Sequence, residues 1–284
     1  MLKAIKQVRT ALSLVSASEI RKRAEHPVVI GLVASEESGY REMEQLLAPD
    51  SLPAPARADL LKTVYRASDD RAPKEIDVVL YAHGLACPEG AFEYRRQDPE
   101  LTIQEILHAD DDFALPLARK YSVFRKPVTH RIIQAVAREN ALFAVASALP
   151  NIVPNFLELP WAFGEFASDT IFLTVNQMRM ALLIAAACGT DIGFGDQKAE
   201  MISIAAGAFG WRAIARELAG KIPLGGGLIP KGAIAYAVTF AIGRGLEYYH
   251  HAKVPYTSSQ HEEAYREAFE RGKAVAESMV NKAG

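Results

Sequence analysis

Cysteine is scarce in this chain, with two residues among 284. Cys87 and Cys188 lie far apart in the sequence, and neither belongs to a motif that would supply a partner. A disulfide scaffold or a cysteine-based zinc site needs several closely spaced cysteines. The sequence therefore predicts a protein of a reducing compartment, and we expect no metal site.

Long apolar runs are missing as well. A membrane-spanning helix needs about 20 uninterrupted apolar residues. The nearest candidate, Gly232 to Gly243, is about half as long and is bounded by Lys231 and Arg244. Near the start, Lys6 and Arg9 interrupt the apolar run that a secretory signal requires. We therefore expect a cytoplasmic protein, peripheral at the inner membrane if it contacts a membrane at all.

A surplus of charge of either sign is also absent, since the formal net charge is −2. Nucleic-acid binding draws on a basic surface, which this composition does not supply overall. The sequence predicts no nucleic-acid partner.

Apolar residues make up 50% of the chain, enough to bury a sizeable core, and the length favours two domains. Helical spacing of apolar residues from Leu2 to Val15 predicts an amphipathic helix within residues 1–25. This helix would pack on the body of the protein or, alternatively, lie on an anionic membrane. Acidic clusters and prolines thin out near Tyr121 to Pro127. We therefore predict an α/β domain over residues 26–125 and a helical domain over residues 126–284.

A strand, a loop and a helix are predicted in succession near the start of the α/β domain. The β-branched run Pro27 to Val33 predicts a buried strand, residues 34–39 a loop, and Tyr40 to Leu47 a helix. This order is the setting of a phosphate-binding P-loop. There, glycines expose backbone N–H groups, a lysine reaches the phosphates and a Ser or Thr binds magnesium.

The predicted loop has the length of a P-loop without its side chains. Its candidate nucleotide-binding residues are Ala34, Ser38, Gly39, Tyr40 and Arg41. Tyr40 occupies the lysine position, and Glu36 and Glu37 place carboxylates where phosphates would lie. We interpret this domain as a degenerate α/β remnant of a P-loop GTPase-like, Rossmann-type fold.

Later GTPase motifs are missing too. Strands are expected at Leu61 to Arg66 and at Glu75 to Ala82, with loops over residues 49–58 and 84–98. No Asp-x-x-Gly precedes the second of these strands and no Asn-Lys-x-Asp follows it. GTP hydrolysis relies on such motifs for magnesium and nucleotide contacts. We therefore predict no catalytic residues.

The second half of the chain predicts long helices that carry small residues at regular intervals. Helices are expected at Asp169 to Cys188, Lys198 to Gly220 and Ile229 to Tyr249, the last after a turn at Gly225 to Gly227. Four-residue spacing of small side chains lets helix backbones approach closely, as at Ala233, Ala237, Ala241 and Gly245. A final helix is expected to open with a capping box of Ser259 and Glu262.

Arginines within the predicted helices bear on whether this helical domain lies inside a membrane. Arg212 and Arg216 within the predicted helices would be costly at bilayer depth. Pairing with a carboxylate inside a bundle is the less costly arrangement. We favour a soluble or membrane-surface bundle, with an integral membrane domain as the alternative.

Several segments in order resemble the YcjF-like family of helical domains, which often follow Era-like GTPase domains in bacteria. The matching segments are Ala148-Leu149-Pro150, Thr174 to Met180, Cys188-Gly189, Ala208 to Arg212, Lys221-Ile222-Pro223, the Gly-rich turn and Ala235-Tyr236-Ala237. The resemblance covers rather more than a third of the chain. It implies a bacterial helical module coupled to a GTPase and often associated with membranes, with no catalytic residues to carry over.

Taken together, the residues and the resemblance predict a non-catalytic protein with a pseudo-GTPase domain and a helical binding module. The expected partner is another protein or the cytoplasmic membrane surface, and no cofactor is expected. The alternative is a switch protein that binds GTP through an unusual P-loop, with Arg41 in place of the lysine.

Overall fold

The computed structural model describes residues 16–147, 169–193, 195–196 and 227–283, which form two compact units. The α/β unit comprises Arg21–Val128 and Ala186–Thr190. The helical unit contains the described parts of Met1–Ile20, Thr129–Ala185 and Asp191–Gly284. Some predicted segments lie outside the described residues: Leu2 to Val15, Ala148-Leu149-Pro150, Lys198 to Gly220, Lys221-Ile222-Pro223 and the first two glycines of the Gly225 to Gly227 turn.

A small parallel sheet forms the centre of the α/β unit. Its strands are β1 (Ile30–Val33), β2 (Val64–Arg66), β3 (Val78–Tyr81) and β4 (Phe92–Glu93). They lie side by side in the order β2-β1-β3-β4, and every pairing is parallel. The apolar run of β1 places Ile30 and Leu32 fully inside the core. The predicted α/β character is thus confirmed as a parallel sheet accompanied by helices.

Five helices lie wholly or partly in the α/β unit: α1 (Ala17–Ala24, from Arg21 onward), α2 (Glu37–Leu47), α3 (Ala54–Leu60), α4 (Pro99–Ala109) and α5 (Ala114–Lys120). Helix α4 shows why such segments form. Pro99 opens its first turn, and the Asp98 carboxylate accepts the backbone N–H of Leu101 at 3.2 Å. Proline and an aspartate cap are both favoured at this end of a helix.

Two predicted loops contain regular structure. Helix α3 begins at Ala54, inside the predicted loop of residues 49–58. It follows Pro53 directly and has a second proline in its first turn. Prolines are tolerated there because those backbone N–H groups have no partner within the helix. Residues 84–98 contain β4, whose two residues pair with the end of β3.

Four long helices lie wholly or partly in the helical unit: α6 (Ser122–Ala146, from Thr129 onward), α7 (Asp169–Ala187, as far as Ala185), α8 (Leu228–Ala252) and α9 (Ser258–Ala283). Helix α6 begins at Ser122 and continues through Pro127. The capping box of α9 differs from the predicted pair. Gln260 accepts the Thr257 N–H at 2.9 Å and donates its own N–H to the Thr257 hydroxyl at 3.3 Å.

Helices α8 and α9 pack closely along the predicted small-residue stripe. Ala233, Ala237 and Ala241 are completely buried. A Cβ added to Gly272 of α9 would lie 2.8 Å from the carbonyl oxygen of Ala233. The backbones therefore approach too closely for a larger side chain. Of the helices that the structure describes, none has the length and apolar character needed to cross a membrane.

Polar side chains connect three helices in the core of the helical unit. Asn140 of α6 donates to the Thr239 hydroxyl of α8 at 2.8 Å and accepts from Asn176 of α7 at 3.0 Å. Gln177 donates to the same Thr239 hydroxyl at 3.2 Å. Asn140, Asn176 and Thr239 are at most 1% exposed. Buried polar groups are costly unless paired, so this cluster favours one alignment of the three helices over shifted ones.

Candidate functional site

The carboxyl ends of the parallel strands are where an α/β sheet of this order is expected to bind a ligand. The chain runs from β1 outward to β2 and then returns past β1 to β3. Ligands of doubly wound sheets bind at the point where the order reverses, here between the ends of β1 and β3. Ala34 follows β1 and Ala82 follows β3. The candidate residues predicted from the sequence lie at this edge.

The second half of the predicted loop is helix. Helix α2 begins at Glu37, three residues before the predicted start at Tyr40. Ser38, Gly39, Tyr40 and Arg41 are consequently in its first turns, and only Ala34, Ser35 and Glu36 connect it to β1. The backbone N–H groups of Gly39 and Tyr40 donate to the Glu36 carbonyl oxygen at 3.2 and 3.5 Å. These groups are therefore directed into the helix rather than toward a cradle for phosphate.

Gly39 allows a close approach of the helix to the sheet. A Cβ at this residue would lie 3.0 Å from the Ala34 Cβ and 3.1 Å from the Ala82 Cβ. The first turn of α2 thus rests directly against the residues that follow β1 and β3. In a P-loop the equivalent glycine makes room for phosphate. Here the absence of a side chain makes room for the chain itself.

The cations nearest this turn are bound to carboxylates of α2. Arg66, the last residue of β2, lies 2.8 Å from a Glu37 oxygen and 2.8 Å from a Glu44 oxygen. Its guanidinium also lies 4.9 Å from the centre of the Tyr40 ring. Arg41 contacts the Glu37 carboxylate at 3.4 Å. The hydrogen bond from Arg66 lowers the pKa of Glu37, and the bonds to Glu44 and Glu37 raise the pKa of Arg66.

Ser38 and Arg96 also contact carboxylates of the chain. The Ser38 hydroxyl donates to the Glu36 carboxylate at 3.3 Å. Arg96, beyond β4, pairs with Glu42 of α2 at 2.7 Å. Carboxylates of the chain itself therefore neutralise the arginines of this edge, Arg41, Arg66 and Arg96.

A histidine and a glutamate also meet at the carboxyl ends of β3 and β4. His83 Nδ1 lies 3.0 Å from a Glu93 oxygen, which also accepts the Gly84 N–H at 3.4 Å. The hydrogen bond from the Gly84 N–H contributes most to lowering the pKa of Glu93. The positive φ of Gly84, 83°, permits this turn. The Glu93 carboxylate orients the His83 ring, and the two side chains hydrogen-bond to each other within the chain.

Sequence reasoning missed Arg66, His83 and Glu93. Arg66 ends a predicted strand, and the strand ends of a parallel sheet share one edge, so its position carried a usable signal. Glu93 lies in a segment predicted as loop, where no local pattern placed it beside His83. The partners of all three depend on contacts between distant parts of the chain.

Cys87 lies in the loop between β3 and β4. Cys87 is exposed, and desolvation together with Glu93 and Glu105 raises the pKa of its thiol. The thiolate, which is the reactive form, is disfavoured in this setting. Within the described ranges, no group of three or more histidine, cysteine, aspartate or glutamate side chains is arranged to hold a metal ion.

Comparison of this chain with family models, with curated proteins and with solved structures finds no match.

Proposed function

We propose that this chain is a non-catalytic binding protein. In this proposal the α/β unit is a pseudo-GTPase domain of P-loop type that no longer takes a nucleotide, and the helical unit is the binding module. The observation that carries the proposal is the pairing of Arg66 and Arg41 with Glu37 at the start of α2. The chain supplies its own anion where a nucleotide-binding domain would receive one.

Charge and backbone geometry both disfavour nucleotide binding at the carboxyl ends of the strands. A triphosphate would have to separate Glu37 from Arg66 and would face the carboxylates of Glu36 and Glu37 at close range. Like charges repel, and no lysine is present at the position that normally contacts the phosphates. The α2 backbone offers little compensation, since the N–H groups of Gly39 and Tyr40 already donate within the helix.

The packing of the helical unit supports its proposed role as the binding module. Closely packed helices and a buried polar cluster hold the described helices of this unit in one alignment. The resemblance to the YcjF-like family favours the same interpretation, namely a bacterial helical module attached to a GTPase-type domain. Its partner would be another protein or the cytoplasmic membrane surface.

Calorimetric titration with GTP and with ATP, each with and without magnesium, tests the proposal. We expect any dissociation constant to be weaker than about 1 mM, the range of non-specific contacts. The matched variant is Arg41→Ala, which removes the one cation of α2. Micromolar binding that Arg41→Ala abolishes would contradict the proposal and favour a nucleotide-binding switch that uses Arg41 in place of lysine.

A further inference from the structure

The end of α8 and the turn that leads to α9 carry exposed apolar side chains beside basic ones. Four large apolar side chains are exposed in the described chain, and two of them lie here: Tyr249, 40% exposed, in the last turn of α8, and Val254, 48% exposed, just after the helix. Lys253 and His251 lie exposed between them. The hairpin tip is defined here as Tyr249, His251, Lys253 and Val254.

Lys253 holds an unusual backbone conformation. With φ 58° it lies in the left-handed region, and it is the one non-glycine residue to do so among those that the structure describes. Its N–H donates to the Tyr249 carbonyl oxygen at 2.9 Å, which ends α8. Glycine is the usual residue at this position, and any other side chain is strained there. Such strain concentrates at functional sites, so a lysine held here suggests a use for its side chain.

The residues beneath the hairpin tip hold it in place. Tyr248 packs against Tyr256 with ring centres 5.0 Å apart, and Tyr256 meets the His261 ring at 5.3 Å. The Thr257–Gln260 capping box fixes the start of α9 on the other side of the turn. The exposed side chains therefore stand on a rigid base and need little ordering when they bind.

We propose that the hairpin tip inserts into the interface of an anionic lipid bilayer. A tyrosine has an apolar ring and a polar hydroxyl, which suits the headgroup level of a membrane. Lysine can bury its aliphatic stem while its ammonium contacts anionic headgroups. Val254 supplies a purely apolar contact at the same end of the hairpin.

Charge and size favour lipid over a protein partner. Glu247 of α8 and Glu262 of α9 are paired with Arg244 and Arg266. Lys253 forms no ion pair with a carboxylate of the described residues, so its charge is available to an anionic surface. A stable protein interface needs about 800 Å² from each partner. A four-residue tip at the end of a hairpin offers far less, whereas a bilayer can receive a small protrusion. This inference rests on the proposed function, because it names the surface that the helical unit would bind.

Vesicle flotation of the full chain tests the inference. We expect the protein to float with vesicles of phosphatidylcholine and phosphatidylserine and to float less with phosphatidylcholine alone. Lys253→Gln should weaken partitioning about fivefold. The double variant Tyr249→Ser with Val254→Ser should weaken it about tenfold. Leu101→Ser, which removes an equally exposed apolar side chain in the α/β unit, should change nothing.

Lys253→Gly separates a binding role from a structural one. Glycine relieves the left-handed strain, so this variant should have a higher Tm than the wild type and yet bind vesicles more weakly. The inference is overturned if the wild type does not float, if the tip variants float like the wild type, or if Leu101→Ser is equally impaired. Each of these results leaves the nucleotide titration unaffected, so the two proposals fail separately.

Discussion

Replacing Gly272 by alanine tests the close packing of α8 against α9, because two effects of opposite sign meet at this residue. In an unpacked helix the change stabilises by about 1 kcal/mol, since glycine loses more backbone entropy on folding. In this structure the new Cβ would lie 2.8 Å from the Ala233 carbonyl oxygen and 2.9 Å from the Ala233 Cα. Backbone atoms cannot turn aside as the end of a side chain can, so the helices must separate.

The packing effect is expected to exceed the helix-propensity effect. Overpacking in a tight core costs about 1–3 kcal/mol, and occasionally more. A clash with backbone belongs at the upper end of this range, which gives a net destabilisation of about 2 kcal/mol for Gly272→Ala. For a domain of 150–250 residues this corresponds to a decrease in Tm of about 4–8 °C.

Urea and thermal unfolding followed by far-UV circular dichroism measure this change. Ala274→Gly is the matched control, because Ala274 is two residues away on the exposed face of α9. It should lose about 1 kcal/mol from helix propensity alone. If Gly272→Ala is as stable as the wild type or more stable, the close contact between α8 and α9 is refuted.

Two further predictions concern the core of the helical unit. Asn140→Ala should reduce the free energy of unfolding by about 2–4 kcal/mol, because it leaves a small cavity and removes the hydrogen bonds to Thr239 and Asn176. A urea midpoint equal to that of the wild type would contradict the buried cluster. Burial raises the pKa of Tyr265 to about 12, above its ordinary value of 10.0. The stability that this proton contributes is present below about pH 10 and is lost as the pH rises toward 12. Tyr265→Phe should make the alkaline decline in Tm shallower, and an unchanged decline would count against this burial.

Local sequence patterns were sufficient for the strands and helices whose residues carry the signal themselves. The β-branched run before Val33 predicted β1, and the run ending near Ala82 predicted β3. The periodic apolar residues of α8 predicted both the helix and its small-residue stripe. In these segments the propensity of each residue agrees with its burial, so the pattern and the fold coincide.

The start of α2 was predicted wrongly because its polar residues suit both a loop and a helix end. Glu37 lies in the first helical turn, where a carboxylate is favoured by the helix dipole. The prediction read the same residue as part of a phosphate loop. For β4 the reason differs, since two residues become a strand only by pairing with β3. No local pattern contains that pairing.

The sequence predicted the position of residues 34–41 in the fold but not the partners of their side chains. Residues 34–41 indeed lie at the carboxyl end of β1. What decides their chemistry is Arg66, which reaches Glu37 across 29 positions of sequence. An ion pair between side chains so far apart depends on the register of β1 with β2, which the sequence pattern does not specify.

The most direct test of the central claim follows the backbone amides of Gly39 and Tyr40 by NMR while magnesium-GTP is added to the isotope-labelled protein. These two amides are the groups that a P-loop would turn toward phosphate. The pairing of Glu37 with Arg66 and Arg41 predicts that both signals stay in place up to about millimolar nucleotide. A saturable shift of these signals at micromolar concentrations would contradict the claim that the chain has replaced the nucleotide with its own carboxylate.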